Sequence, residues 1–219
     1  MIGTKIICLA LGYVLGLFQT SYIIGKVFNH VDIREQGSGN AGTTNAFRVL
    51  GKKAGIMVFI GDFLKLVIAY FLARLIFGEG VFSMYAAVGC VLGHIFPFYM
   101  GFKGGKGIAC SLALMLCINP VFALVTYIIG FIVFKIWHYV SAASLTMVVV
   151  YPLLMALAYL YGQESLIISG NFGIYLGLYG LENIILMLII TVITYYKHRE
   201  NIARLIHGEE NKFSVKKKV

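Results

Sequence analysis

The 219-residue sequence predicts an all-α, polytopic membrane protein of about seven transmembrane helices, folded as a single domain over residues 1–219. Hydrophobic residues make up 60% of the chain and charged residues only 12%, whereas a soluble domain carries about 25% charged residues. The mean hydropathy is +0.88. The apolar residues also fall into runs of the length that a helix needs to cross the hydrocarbon core of a bilayer.

The first run, Ile6 to Phe28, has no small-residue cleavage site and is too long for the core of a signal peptide, so it reads as a retained span. Gln19, Thr20, Ser21 and Tyr22 near its end are polar enough to face a bundle interior. A polar stretch follows to Lys53, in which Thr43 to Leu50 has the character of a short helix. The second span, from about Ala54 to Phe77, contains Asp62 and Lys65. Their spacing of three puts them on one helical face, and the cost of charge at that depth predicts that they pair with each other, face the bundle interior or reach toward the polar stretch before this span, a structural pair being the plainest of these. Gly78-Glu79-Gly80 is a turn, and Val81 to Tyr99 is the third span. The run from Lys106 to Asn119 is either a short or tilted crossing or a re-entrant element, ended by Asn119-Pro120, and the count of seven takes it as a crossing. Val121 to Trp137, Ser141 to Tyr161 and Ile174 to Tyr196 complete the set, with a polar connection over Gly162 to Gly173. Residues 197–219 form a basic tail that ends in Lys216-Lys217-Lys218.

Seven crossings with the N-terminus outside put nearly all the loop lysines and arginines on the inner side. Lys5 and Arg74 are the exceptions. That asymmetry predicts a cytoplasmic C-terminus and accounts for the net charge of +9 without a nucleic-acid partner. Cys8, Cys90, Cys110 and Cys117 lie in apolar runs with no CxxC spacing, so neither a metal site nor a disulfide framework is expected.

Two glycine-rich islands interrupt this pattern, and both fall on the predicted inner side. The first runs from Gly37 to Arg48 and offers Ser38, Asn40, Asn45 and Arg48 beside its glycines. The second, Gly101 to Gly107, holds Gly104, Gly105 and Lys106 immediately before an apolar helix. Glycines let backbone amides converge on an anion, and a helix start adds positive potential. The second island is no Walker A loop, because no Ser or Thr follows Lys106. Ser141 and Ser144 are three apart at a helix start, where Ser141 suits an N-cap. His198 and Asn201 share a helical face, with Arg204 one turn on; a juxtamembrane basic stripe on anionic lipid is the plainer use of these residues. His94, before Phe96-Pro97, suits an interfacial histidine at a span end. There is no Gly-x-Ser-x-Gly elbow, no His-x4-Asp pair and no carboxylate pair with metal spacing.

Taken in series, Gly37-Ser-Gly-Asn-Ala-Gly-Thr-Thr-Asn45, Gly93-His-Ile-Phe-Pro97, Phe102-Lys-Gly-Gly-Lys-Gly107, Ser141-x-x-Ser144 and the run from His198 to Glu210 resemble the bacterial acyl-phosphate:glycerol-3-phosphate acyltransferase family. The resemblance covers essentially the whole chain. It implies a multi-pass enzyme of the bacterial plasma membrane, working on the cytoplasmic side without a cofactor. Its substrates would be glycerol 3-phosphate and a fatty acyl phosphate, in contact with membrane lipid. It would acylate the 1-hydroxyl, release inorganic phosphate and form lysophosphatidate, the first step of phospholipid synthesis. Ser38, Asn40, Asn45, Arg48, Lys106, Ser141, His198 and Asn201 match family site positions, and Asp62 and Glu210 fall in family motifs. On this reading Gly104, Gly105 and Lys106 grip one phosphate, while Ser38, Asn40 and Arg48 grip the other. His198 and Asn201 orient the hydroxyl, and Ser144 lines the site. A transporter of small phosphorylated anions is the rival class, but it usually shows related inverted halves, and the chain has no such repeat.

Overall fold

The first span is broken in the middle. A computed structural model, which describes residues 1–78, 80–161 and 180–213, gives it as two helices, α1 (Ile2–Gly16) and α2 (Thr20–Asn29). Three further helices follow: α3 (Thr43–Val49), α4 (Lys52–Phe77) and α5 (Phe82–Ile95). After the second island come α6 (Ile108–Ile118), α7 (Pro120–Trp137) and α8 (Val140–Leu160). The chain ends in α9 (Leu181–Lys197) and α10 (Arg199–Ile206). Among the described residues there is no strand. Glu79, the 162–179 stretch with its expected connection and the start of the last span, and the terminal lysines lie outside the described residues.

Five stretches are long and apolar enough to cross a membrane: residues 2–29, α4, Phe82–Met100, α7 and α8. The pair α9 and α10 makes a sixth only if taken together, across a 61° bend. Length therefore does not supply the expected seventh, because α6 has 11 residues and measures only about 16 Å at 1.5 Å per residue. Its depth explains its length. Cys110 Sγ lies 3.3 Å from the Asp62 carbonyl, and Asp62 is about 15 Å along α4 from its start. By its third residue α6 is thus already more than a third of the way along the 26-residue α4, and it runs on from there inside protein. Its residues Ala113, Leu114 and Met115 are fully buried in the main core with Leu66, Val91, Tyr151 and Met187.

Local chemistry sets the helix ends and bends. Asn119 Oδ1 accepts from the amides of Val121 and Phe122, and Pro120 stands where the first turn needs no donor, so α7 starts there. Pro152 inside α8 removes the amide that would have bonded the Val148 carbonyl; Thr191 Oγ1, from α9, donates to that carbonyl at 2.7 Å.

The pairing of α1 with α5 is a contact between backbones. A Cβ on Gly12 would fall 1.8 Å from the Ala86 carbonyl oxygen, and one on Gly16 would fall 2.2 Å from that of Cys90. The partner helix reciprocates, with Gly89 against the Leu9 oxygen at 2.0 Å and Gly93 against the Tyr13 oxygen at 2.2 Å. Small residues at i and i+4 on both helices permit this approach, which carries membrane helix packing where hydrophobic burial cannot. Gly89→Ala places a methyl group on backbone that cannot yield. It should destabilise the bundle by at least about 2 kcal/mol, read as a lower melting temperature in detergent. Gly3→Ala, in the same kind of helix with nothing within 4 Å, should leave the melt unchanged.

Candidate active site

Two faces of the bundle differ in chemistry. At the end where α5 and α9 begin, Lys5, Tyr85 and Glu182 form one small polar cluster. At the other end both islands, the corner between α7 and α8, and the chain after α9 all converge.

The islands meet each other first. Arg34 forks onto Asp32, with Nε 3.0 Å from Oδ1 and Nη2 2.8 Å from Oδ2. Its remaining nitrogen, Nη1, donates to the Met100 carbonyl at 3.2 Å, next to the second island. The pairing holds the Asp32 carboxyl below its usual range, with the hydrogen bond to Arg34 as the main cause. A cavity of about 250 Å³ lies between the islands, lined by Asp32, Arg34, Glu35, Gly39 and Lys103.

Within the first island Asn45 is a loop organiser. Its Nδ2 donates to the carbonyls of Ile33 and Gln36, both at 3.0 Å, and its Oδ1 accepts from the Ser38 amide at 2.9 Å. It is 2% exposed, with its donors and acceptor occupied by backbone, so it shapes the loop rather than facing a ligand. Ser38 and Asn40 remain at the surface of the turn, and Arg48 closes α3.

The second island corrects an expectation. The amides of Gly104 and Gly105 do not converge on an open cradle: they donate to the carbonyls of Ile95 and His94, each at 3.2 Å. Their lack of side chains serves close packing instead, since a Cβ on Gly104 would fall 2.0 Å from the His94 carbonyl oxygen and one on Gly105 would fall 2.1 Å from His94 Nε2. What the loop presents is Lys106.

Lys106 enters a knot of polar side chains from four parts of the chain. Its ammonium donates to Asn201 Oδ1. Asn201 Nδ2 donates to Glu210 Oε1 at 2.7 Å. Ser141 Oγ donates to the same oxygen at 3.0 Å, and Arg204 Nε donates to Oε2 at 2.8 Å. Ser141 therefore does not cap α8, whose N-cap is Tyr139; it reaches the tail instead. Ser144 bonds back to the Val140 carbonyl at 2.8 Å and does not join the knot. Arg204, which the sequence alone suggests as part of a lipid-facing stripe, is a member; its place one turn after Asn201 was the available signal. Among the described residues, Ser38, Asn40 and Arg48 make no hydrogen bond or ion pair to the knot. Helix α3, which carries Arg48 and follows the turn that carries Ser38 and Asn40, is held beside the knot by Phe47, whose ring lies edge-on to Phe213 at 5.7 Å.

His198 sits at the turn between α9 and α10, 3% exposed. Its Nδ1 lies 2.8 Å from the Thr194 carbonyl, which can only accept. The ring proton is therefore on Nδ1, and Nε2 carries a free lone pair. Burial, and then the nearby Lys106 charge, push the imidazole down to about 4, so it is neutral at pH 7. Burial lowers Lys106 to about 8, helped by Arg204 and opposed by Glu210, so the ammonium form prevails at neutral pH. The knot thus holds two cations, one carboxylate, a neutral imidazole and two small donors, an arrangement one anionic group short of balance. Among the described residues no group of three or more His, Cys, Asp or Glu has metal-binding geometry.

Comparison with known proteins agrees with this picture. The family profile described as "Glycerol-3-phosphate acyltransferase" matches residues 6–208. A glycerol-3-phosphate acyltransferase of Clostridioides difficile is 40% identical over 99% of this chain and 98% of its own length. One of Alkaliphilus metalliredigens is 38% identical over 94% of this chain and 95% of its own length. Among solved structures, PlsY (YgiH), an integral membrane glycerol 3-phosphate acyltransferase in its glycerol 3-phosphate form, superposes with a TM-score of 0.80. It is 33% identical, over 96% of both chains. Its lysophosphatidic acid form gives a TM-score of 0.77 at 32% identity, over 96% of this chain and 95% of that one.

Glu210 is the hub of the knot, so its removal should uncouple the others. Glu210→Ala should cost about 2–4 kcal/mol by leaving Arg204 and Asn201 without their acceptor, seen as a lowered melting temperature together with lost acyl transfer. Glu210→Gln, which keeps one acceptor oxygen, should fall between it and the wild type in both measurements.

Proposed function

The chain belongs to the glycerol-3-phosphate acyltransferase family, and from that membership we infer that it acylates glycerol 3-phosphate at the charged end of its bundle, with acyl phosphate as the donor. It is an acyltransferase of the membrane. The observation that carries the assignment of the site is the convergence of Lys106, Ser141, Asn201, Arg204 and Glu210 in one knot, with His198 near enough to feel the charges of Lys106 and Glu210. The knot's uncompensated positive charge suits a phosphate, and each substrate brings one.

In the proposed reaction the 1-hydroxyl oxygen of glycerol 3-phosphate attacks the acyl carbonyl carbon. The carbon–oxygen bond to phosphate breaks, and inorganic phosphate leaves with the electron pair. Lys106 and Arg204 offset the charge of the phosphate they meet. Nε2 of His198, an acceptor in the neutral ring, aligns the hydroxyl and can take its proton. A dianionic phosphate beside it raises its affinity for that proton. Acyl phosphate is already an activated anhydride, so positioning and charge stabilisation suffice, and no covalent enzyme intermediate is needed. Ser38, Asn40 and Arg48 on the neighbouring island take the second phosphate. The acyl chain runs along the apolar helix faces, in contact with membrane lipid. The concentration of lysine and arginine at this end supports a cytoplasmic site in the bacterial plasma membrane, with the tail on the same side.

The test is purified enzyme in detergent, given acyl phosphate and glycerol 3-phosphate. Phosphate release should depend on the acceptor and yield lysophosphatidate. Lys106→Ala and Asn201→Ala should each lower kcat/KM by about a hundredfold or more. No turnover alongside flux of phosphorylated anions into vesicles would favour the carrier instead. The pH profile gives a second test. Lys106 acts as the ammonium, so kcat/KM should fall as the pH rises through about 8, the limb that reports the free enzyme.

A further inference from the structure

His94 stands one residue before the end of α5 and is 3% exposed, and the reaction above makes no use of it. Polar contacts hold its ring from one side. Lys65 Nζ lies 2.8 Å from Nδ1, and Asp62 Oδ1 lies 3.6 Å from the same nitrogen. Lys65 is itself fixed. It pairs with Asp62 at 2.9 Å and donates to the Phe18 carbonyl at 2.6 Å, with the Gly16 carbonyl at 3.3 Å. A lysine ammonium only donates, so Nδ1 of His94 accepts and the ring proton is on Nε2. On its other side the ring rests against Gly105, where a Cβ would fall 2.1 Å from Nε2. The His94 carbonyl accepts the Gly105 amide at 3.2 Å and Gln19 Nε2 at 3.0 Å. The next residue after Gly105 is Lys106.

We propose that His94 is a positioning residue for the acyl transfer: wedged between the Lys65–Asp62 pair and Gly105, it fixes the place from which the loop presents Lys106 to the substrate phosphate. The proposal rests on the role given to Lys106 above. Backbone hydrogen bonds from Gly104 and Gly105 tie the loop to the end of α5, and the imidazole adds a rigid side-chain stop against Gly105. It cannot retreat, because Lys65 holds Nδ1 with one hydrogen while its other two go to the Asp62 carboxylate and the Phe18 carbonyl. The loop cannot advance, because Gly105 already touches the ring with no side chain between. A series of direct contacts thus runs from the break in the first span to the cation of the site. Reaction rates are sensitive to displacements of about an ångström, so a support of this kind acts on turnover without touching substrate.

The test uses full-length enzyme in detergent, with kcat and KM for glycerol 3-phosphate measured on material whose folded fraction is known from its melting curve and gel filtration. His94→Leu fills the space but cannot accept from Lys65. It should lower kcat/KM by about tenfold or more per folded molecule. His94→Gln keeps an acceptor oxygen and should recover to within about threefold of wild type. Gly105→Ala should match the leucine variant, and His94→Ala with Gly105→Ala should be no worse than Gly105→Ala alone, because the removed ring makes room for the added methyl group. Wild-type kcat/KM in folded His94→Leu overturns the proposal. So do equal defects in the leucine and glutamine variants, or a loss of activity that only follows the loss of folded protein. Lys106→Ala is run alongside. If it keeps full activity, the role of Lys106 falls and this proposal with it, whereas an inactive Lys106→Ala beside an unaffected His94→Leu removes the positioning role alone.

Discussion

A lysine ammonium in the interior of an apolar bundle must be surrounded by oxygen, and the chain is bent around that requirement at Lys65. Where α1 stops at Gly16, its last carbonyls lose their helical partners, and in hydrocarbon no water replaces them. Lys65 supplies hydrogens to the carbonyls of Gly16 and Phe18. Asp62 neutralises the lysine, and Thr20, the first residue of α2, donates to Asp62 at 3.1 Å. The break and the ion pair therefore need each other. Without the break, Lys65 would lose its carbonyl acceptors and keep only Asp62 and His94; without Lys65, the break would expose unsatisfied backbone. Losing one member of a buried pair costs about 3–5 kcal/mol. The same point organises the end of α5, because Gln19, inside the break, donates to the carbonyls of Gly93 and His94. Both islands leave the bundle from elements tied to this junction.

The polar knot has the opposite electrostatic character. Around Lys65 every charge is matched, whereas around Glu210 one carboxylate faces Lys106 and Arg204. An excess of positive charge in a partly desolvated place raises the energy of the empty site, and binding of a dianion relieves it. The neutral His198 fits that economy of charge. A second protonated group would add repulsion before substrate arrives, and the low affinity of the buried ring for a proton avoids it. In the proposed reaction substrate would supply the charge that makes the ring a better base, which would couple binding to chemistry.

Much of this was legible in the sequence, for physical reasons. Long apolar runs, the Asp62–Lys65 spacing and the short helix from Thr43 depend on local periodicity, which a linear reading captures. The cluster of Lys106, Ser141, His198, Asn201 and Glu210 was legible through the resemblance of whole motifs, not through any one spacing. The depth of the second island was not legible. Residues 101–107 look like a surface loop, and only packing on α4 shows that α6 starts well inside the bundle and has a shortened path. The amides of Gly104 and Gly105 were misread for the same reason, since glycines that admit a neighbouring imidazole and glycines that cradle an anion look alike in one dimension. The α1–α5 seam was written as Gly12-x3-Gly16 and Gly89-x3-Gly93, but such a pattern becomes a contact only once both helices are known to face each other.

The tail explains how elements so distant in sequence form one site. After Glu210 the chain does not leave the bundle. The Phe213 amide donates to the His138 carbonyl at 3.0 Å, at the corner between α7 and α8. Its ring lies edge-on to Phe134 at 5.9 Å and to Phe47 at 5.7 Å. One short segment thus binds the carboxylate hub, the corner that carries Ser141, and the helix that carries Arg48. Each attachment uses a different interaction: ionic and amide contacts at Glu210, a backbone hydrogen bond at Phe213, and aromatic packing on both sides of its ring. No single helix–helix interface could hold α3 against α7 and α8 in this way, because α3 is only seven residues long. The polar face of the enzyme is therefore closed by chain that lies outside the apolar bundle, which leaves the bundle free to be almost wholly apolar and concentrates the chemistry at one end.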